Sequence, residues 1–448
     1  MNTVNEPVTH TYDVVVVGAG LSGLGAALEL KDRGFKVCLL EKEARPGGRT
    51  TTDRIDGFAI DTGTSIFGQD FSAMLAMVER LGLQHLQQWA NFSFGLRDAN
   101  GQIDIRWLRP DVVLFSHRFG LKTKLAMARF SLDVLRNRKK LRHGYSEDAL
   151  HLDNESVGDY MRRIGGEEFL NKILLPGLNG PLGGVLVSNS KIVLFQAFWN
   201  ILVLKSWALK GGLDAIAEGI ASEVPVITGC AVVRVETGSQ CRVTAKIDGE
   251  ETVFTSRGVV VAVPGTRVAA LCPDLPPDVR ALVEKTRYST MSSAHVSLAT
   301  PPHTAVTGYG VADSFDSGYE IELEHNRVGD MCPPGKGMVS IYFWDDEKSQ
   351  MSQKSDDEFR QRATAIVDKC FPECDGKILG VHILRWKDGI GQFAPGRIGE
   401  MVKLRQQMAG WNLPIQLCGD YLDGISSEGA LVTGQQAARN LCKYLDRQ

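Results

Sequence analysis

Apolar and polar positions fall into blocks of two kinds along this chain. The first block, residues 12–17, reads YDVVVV, a short β-branched run, which is the pattern of a strand buried on both faces. A glycine loop follows at 18–23 (GAGLSG), then a helical pattern to Arg33, a stop at Gly34 and a second apolar run at 36–40 (KVCLL). Strand, tight turn, helix and strand are contiguous, which predicts a βαβ unit. Further strands are expected at 228–236 (TGCAVVRVE) and 258–265 (GVVVAVPG), and residues 413–445 read as strand, loop and amphipathic helix. Between these blocks, residues 70–205 are helix-rich by pattern, and residues 285–385 resemble strands and a helix broken at GDMCPPGKG. The run at 192–209 (IVLFQAFWNILVLKSWAL) approaches the length of a membrane span, but Gln196, Asn200, Lys205 and Ser206 interrupt it. It predicts a buried helix lining an apolar substrate cavity.

Composition narrows the class. A chain of 448 residues with 43% hydrophobic and 23% charged residues should fold into two or three domains. A formal net charge of -3 gives no electrostatic basis for a nucleic-acid partner. Residues 1–13 lack the basic and apolar regions of a secretory signal, and the nine cysteines are scattered without a CxxC pair. Reduced thiols, a cytoplasmic location and no metal site are expected.

The glycine loop carries the first chemistry. Gly18 permits the tight turn, Gly20 lets backbone N–H groups approach a pyrophosphate, and Gly23 lets the helix pack closely on its strand. Glu41 lies about 20 residues past the loop, where a carboxylate accepts from adenosine ribose hydroxyls and disfavours a 2′-phosphate.

After Glu41 the chain reads KEARPGGRTTT, and then GFAIDTGTSIFG at 57–68. With these motifs the sequence resembles the flavin amine oxidase superfamily, which includes amine oxidases, protoporphyrinogen oxidases and carotenoid-type desaturases. The resemblance implies an α/β fold: a Rossmann-like FAD-binding domain with a discontinuous α+β substrate-binding domain. It assigns residues 1–70, 205–285 and 385–448 to the first, and 71–204 and 286–384 to the second. It also implies noncovalent FAD, since no cysteine stands in the S-G-G-C-Y context of covalent attachment and Cys418 directly precedes Gly419 at a strand end. The implied cofactor-binding residues of the N-terminal unit are Gly18, Gly20, Leu21, Ser22, Gly23, Glu41 and Lys42. The next loops supply Arg45, Gly47, Gly48 and Arg49, then Thr64 and Ser65 beside the Asp61 and Gly63 pair. Val232 or Val233 would meet the adenine by backbone. The C-terminal motif supplies Gly419, Asp420, Glu428, Gly429 and Ala430, the last three placing a positive helix end against the flavin.

The reaction is less defined. The segment 288–298 (YSTMSSAHVSL) lacks the lysine of many amine oxidases and is more similar to protoporphyrinogen oxidases, as is GYGVAD at 308–313. Trp386, before GIGQFAPGR, is the one candidate contact to substrate or flavin; no catalytic base is named. The resemblance implies a dehydrogenase or oxidase that moves a hydride from a small hydrophobic, cyclic substrate to flavin N5, with oxygen or another electron acceptor. An amine oxidase yielding imine and hydrogen peroxide, and a nonenzymatic flavin-binding protein, are the alternatives. The basic stretch 116–144 carries Leu125, Phe130, Leu132 and Leu135 among its charges, with Asp133 opposing them, and admits peripheral membrane contact or an acidic substrate.

Overall fold

The computed structural model describes residues 9–90, 94–97, 115, 117, 119–141, 147–180, 182–203, 205–311, 319–345 and 350–448. Several sequence readings fall partly outside these: residues 1–8, Ser116, Arg118, residues 142–144, Leu204, Ala312 and Asp313.

The blocks of β-branched residues assemble into a seven-stranded sheet. Thr9–Val17 pairs in parallel with Val37–Leu40 on one side and with the long strand Glu250–Val261 on the other. Ile415–Leu417 runs parallel to Val259–Val261, so the C-terminal motif enters the same sheet as the N-terminal one. Cys230–Glu236, Cys241–Ile247 and Val226–Ile227 complete it. Val14, Val15 and Val16 are fully buried, as a strand covered on both faces requires.

Helix Leu21–Asp32 ends as its sequence predicts, with Gly34 at φ +85° and its N–H bonded to the Lys31 carbonyl at 2.8 Å. It packs on the C-terminal helix Ser427–Leu445 at a glycine contact. A Cβ at Gly434 would stand 1.9 Å from the Ser22 carbonyl oxygen, so only glycine allows the two backbones this approach.

The second layer is a six-stranded sheet in the order Ile378–Gly391, Tyr288–Leu298, Gly337–Trp344, Tyr319–Leu323, Gly308–Val311 and Phe94–Arg97. The last strand comes from the region read as helical; its alternation is too short to show by periodicity, and it pairs in parallel with Gly308–Val311. One face of this sheet, with Ala294, Val296, Ile321, Ile341 and Phe343, is covered by helix Asp356–Cys370 through Phe359, Ala363 and Ile366. Ser355 and Glu358 form a capping box at that helix's start. The opposite face turns toward the glycine loops.

The helical region packs around Phe130. Its ring meets Phe169, Phe195 and Phe198 edge-on, with centroids 5.7, 5.7 and 4.4 Å away. Helix Lys191–Val203 contributes Phe195 and Phe198 to this core, and among the described residues no helix is long and apolar enough to cross a membrane.

Candidate active site and cofactor cradle

Three glycine-bearing segments converge at the start of helix Leu21–Asp32. Gly18 has φ +99°, and a Cβ there would lie 2.5 Å from the Ala262 carbonyl oxygen. A Cβ at Gly23 would lie 1.8 Å from the Gly18 oxygen, so the helix seats directly on its own turn. Gly47 and Gly48, at φ +117° and +57°, bring the second loop onto the first: the Gly47 N–H bonds the Ala19 carbonyl at 2.8 Å. A Cβ at Gly48 would stand 3.2 Å from the Gly20 Cα.

The helix N-cap, Gly20, provides no side-chain hydrogen bond, the first turn holds no acid, and nothing lies within 4 Å of where a Gly20 Cβ would point. An uncapped, glycine-lined helix start of this kind fits a pyrophosphate, which would accept from the free N–H groups in the positive field of the helix. Leu21 and Ser22 are buried beside it. Glu41 is buried at the end of its strand, its carboxylate accepting from Ala19 N at 2.7 Å and Glu43 N at 2.9 Å. The strand Cys230–Glu236 begins beside it, with Cys230 N bonded to Glu41 O. A register shift between Val232 and Arg234 leaves Val233 outside the ladder.

Two basic residues depart from expectation. Lys42 points outward and pairs with Glu43 at 2.8 Å. Arg45 pairs with Asp53 and donates to the Thr52 carbonyl. Arg49 behaves differently. Its Nη1 donates to Gly389 O at 2.6 Å and to Asp420 Oδ2 at 2.9 Å, while the Tyr288 hydroxyl donates to Asp420 Oδ1 at 2.8 Å. Burial works against the Arg49 charge, but the Asp420 carboxylate more than offsets this and raises its pKa. Burial, then Asp420, holds the Tyr288 phenol well above its ordinary value. One triad thus ties the second loop, the six-stranded sheet and the C-terminal motif together. Tyr288 carried no sequence signal for this role, because Arg49 and Asp420 are more than 100 residues away.

The start of the C-terminal helix also differs from the simple motif reading. Ser426 accepts from Gly429 N with its Oγ at 3.1 Å and from Ala430 N with its carbonyl at 3.1 Å. Those two amides are therefore engaged within the helix turn. The Glu428 carboxylate accepts from Ala73 N at 2.7 Å and Met74 N at 2.9 Å, capping helix Ser72–Arg80, whose own N-cap Phe71 offers no side-chain bond. Gly419, at φ +148°, donates to Thr433 Oγ1 at 3.1 Å. Cys418 is buried, its Sγ 3.8 Å from the Val261 carbonyl oxygen.

Loop 61–65 links the cradle to the sheet face. Thr64 N bonds Arg49 O at 2.9 Å, Ser65 O accepts from Arg327, and Trp386 Nε1 donates to Thr62 O at 2.5 Å. Asp61 accepts from Thr52 Oγ1 at 2.7 Å and Leu213 N at 3.1 Å, and burial, opposed by Arg327, pushes it up to about 6.

Cross-strand register places Trp386, Leu384, His382, Met291, Ser293, His295, Trp344, Tyr342, Ser340, Glu320 and Glu322 on that one face. His295 Nε2 lies 3.0 Å from Ser293 Oγ, and Nδ1 lies 2.8 Å from Ser340 Oγ. The Ser340 hydroxyl donates to Glu324 Oε1 at 2.7 Å, so Nδ1 must be the donor to Ser340 and Nε2 the acceptor from Ser293. Arg327 clamps Glu324 in turn, with Nε to Oε2 at 2.7 Å. Burial pushes His295 down to about 4, leaving it neutral. Burial pushes Glu322 up to about 7, with Arg327 opposing, and raises Glu320 well above its usual range. One oxygen of each, Glu320 Oε2 and Glu322 Oε2, has no hydrogen-bond partner among the described residues. No group of three or more His, Cys, Asp or Glu among the described residues is placed to hold a metal.

The model of the family "Flavin containing amine oxidoreductase" matches residues 21–442. The chain belongs to that family. It is an FAD-dependent oxidoreductase, and its relatives span porphyrinogen and amine oxidation. It is similar to coproporphyrinogen III oxidase of Bacillus subtilis, with 22% identity over 96% of this chain and 98% of that one. Its fold matches that of a redesigned triple mutant of putrescine oxidase, with a TM-score of 0.77 at 19% identity, covering 98% of this chain and all of the other. Cyclohexylamine oxidase from Brevibacterium oxydans shares the fold at a TM-score of 0.74 and 16% identity over 97% of this chain.

Proposed function

We propose that this enzyme is a desaturase-like dehydrogenase of a hydrophobic, ring-containing substrate, bound over the face formed by Trp386, Met291, Leu384 and Trp344. A hydride leaves one substrate atom and a proton leaves its neighbour, giving a C=C or C=N bond. Noncovalently bound FAD supplies the hydride acceptor at N5, and oxygen or another acceptor takes up the electrons. The residues proposed to hold it are Gly18, Gly20, Gly23, Gly47, Gly48 and Glu41, with Arg49 and Asp420 at the junction with the sheet.

The observation that carries this reading is the composition of the face. None of the residues that register places on this face is a lysine, since Lys387 of the strand Ile378–Gly391 alternates to the other side, and His295 is held neutral by burial between two hydroxyls. The face therefore orients an uncharged ring and excludes water around the reacting atoms. Glu322, near 7, is poised to hold the departing proton at its Oε2, which faces Arg327 at 3.9 Å without a hydrogen bond. The same pair of buried carboxylates favours a second reading, amine oxidation, because an ammonium group would supply the hydrogen bonds that Glu320 Oε2 and Glu322 Oε2 lack. We place the enzyme in the cytoplasm, in peripheral contact with a membrane.

Anaerobic addition of porphyrinogens, saturated ring ketones and cyclic amines to the yellow holoenzyme tests these readings. Bleaching of the flavin band by uncharged rings is expected; bleaching by amines alone, abolished in Glu320→Gln, would select the second reading. A protein that none of them reduces would overturn both.

A further inference from the structure

Helix Leu121–Asn137 has two apolar faces. Ala126, Met127, Phe130 and Val134 are buried against the helical core, so Phe130, one of the apolar residues of the basic stretch, faces inward. The outer side carries Leu121, Leu125, Leu132 and Leu135, exposed by 74%, 53%, 46% and 48%. At 100° per residue these four fall within one stripe, about 20 Å long at ~1.5 Å per residue. A solvated helix face would be polar; this one is leucine.

Charge flanks the stripe. Lys122, Arg129 and Arg136 follow one edge at a seven-residue spacing, and Arg138, Lys139 and Lys140 continue past the helix end. The helix's one acid, Asp133, accepts from the Tyr160 hydroxyl at 2.9 Å and pairs with Arg136 at 3.7 Å. Beside Leu125 lies a groove of about 260 Å³ lined by Lys122, Arg129, Arg162 and Arg163. Arg162 and Arg163 are paired with Asp159 and Glu155, whereas Lys122 and Arg129 have no ion-pair partner among the described residues.

We propose that this face docks on the surface of an anionic phospholipid bilayer, the leucines entering the headgroup boundary and the groove receiving lipid phosphates. The inference rests on the peripheral-contact part of the proposed function and is independent of the substrate. Flanking cations around an apolar stripe match an anionic lipid surface, where long basic side chains keep their charges at headgroup level. A second copy of this chain would bring Lys122, Arg129 and Arg136 against their own counterparts, which like-charge repulsion opposes.

The test is cosedimentation of the full holoenzyme with vesicles of phosphatidylcholine containing one-third phosphatidylserine, against pure phosphatidylcholine. Binding is expected to the first, at least tenfold weaker to the second, and to fall with salt. Leu125→Ser/Leu132→Ser and Lys122→Ser/Arg129→Ser should each lower vesicle affinity about tenfold with flavin content and bleaching unchanged. No pelleting, equal pelleting with both vesicles, or a dimer in analytical ultracentrifugation that the leucine changes dissociate would overturn the proposal, and none of these results would touch the flavin chemistry.

Discussion

The cofactor cradle and the sheet face beside it are built on different principles. The cradle is made of backbone: glycines that let loops and helices approach, and N–H groups left free at a helix start. The face is made of side chains drawn from four strands, held by a buried chain of hydrogen bonds and charges from Ser293 to Arg327. A backbone site tolerates divergence in everything except its glycines. A side-chain site can be rewritten strand by strand, which explains how one fold serves uncharged rings and amines alike.

The largest expected effect lies on the face. Arg327, 1% exposed, is clamped to Glu324 and lies 3.9 Å from both Asp61 and Glu322. Arg327→Met would leave three buried acids without their cation, at a cost of about 3–5 kcal/mol. Urea unfolding of the holoenzyme should show this loss; a change below about 1 kcal/mol would mean that the face is not organised around this charge.

That effect also marks the boundary of what the sequence discloses. The GAGLSG loop, its helix and Glu41 are legible because local spacing alone fixes their geometry, and the Gly34 cap sits where its residue type requires. The C-terminal segment is legible because strand, loop and helix follow one another without interruption. Arg327, His295 and Tyr288 are not, because their roles draw on cross-strand register or on loops more than 100 positions away. Lys42 and Arg45 are expected at the cofactor from their place beside a phosphate loop, and the structure pairs them with the carboxylates of Glu43 and Asp53, partners that lie close in sequence.

A smaller effect sharpens the comparison through pH. The folded state keeps His295 neutral down to about pH 4, whereas in an unfolded chain it protonates near ~6.5. Between these values the unfolded state binds more protons. The contribution is therefore complete above about pH 6.5 and drains as pH falls toward 4, a total of about 3 kcal/mol. Asp61 and Glu322, raised to about 6 and about 7, run the other way, so the effect must be read as a difference. Relative to His295→Asn, the unsubstituted protein should lose stability between pH 6.5 and 4 in thermal melts; parallel curves for the two would mean that His295 is not held neutral.

The smallest effect tests the cradle itself. Glu428 belongs to the motif at the start of the C-terminal helix, yet its carboxylate spans Ala73 N and Met74 N and serves as the cap that helix Ser72–Arg80 lacks. Glu428→Gln keeps one acceptor, turns an amide toward a donor and removes the negative charge from a helix start, at a cost of about 1–2 kcal/mol. The melting temperature should fall accordingly while the purified protein keeps its flavin and its visible spectrum. Loss of flavin without loss of stability would instead make Glu428 a cofactor contact, and the division between a backbone cradle and a side-chain face would no longer hold at the C-terminal motif.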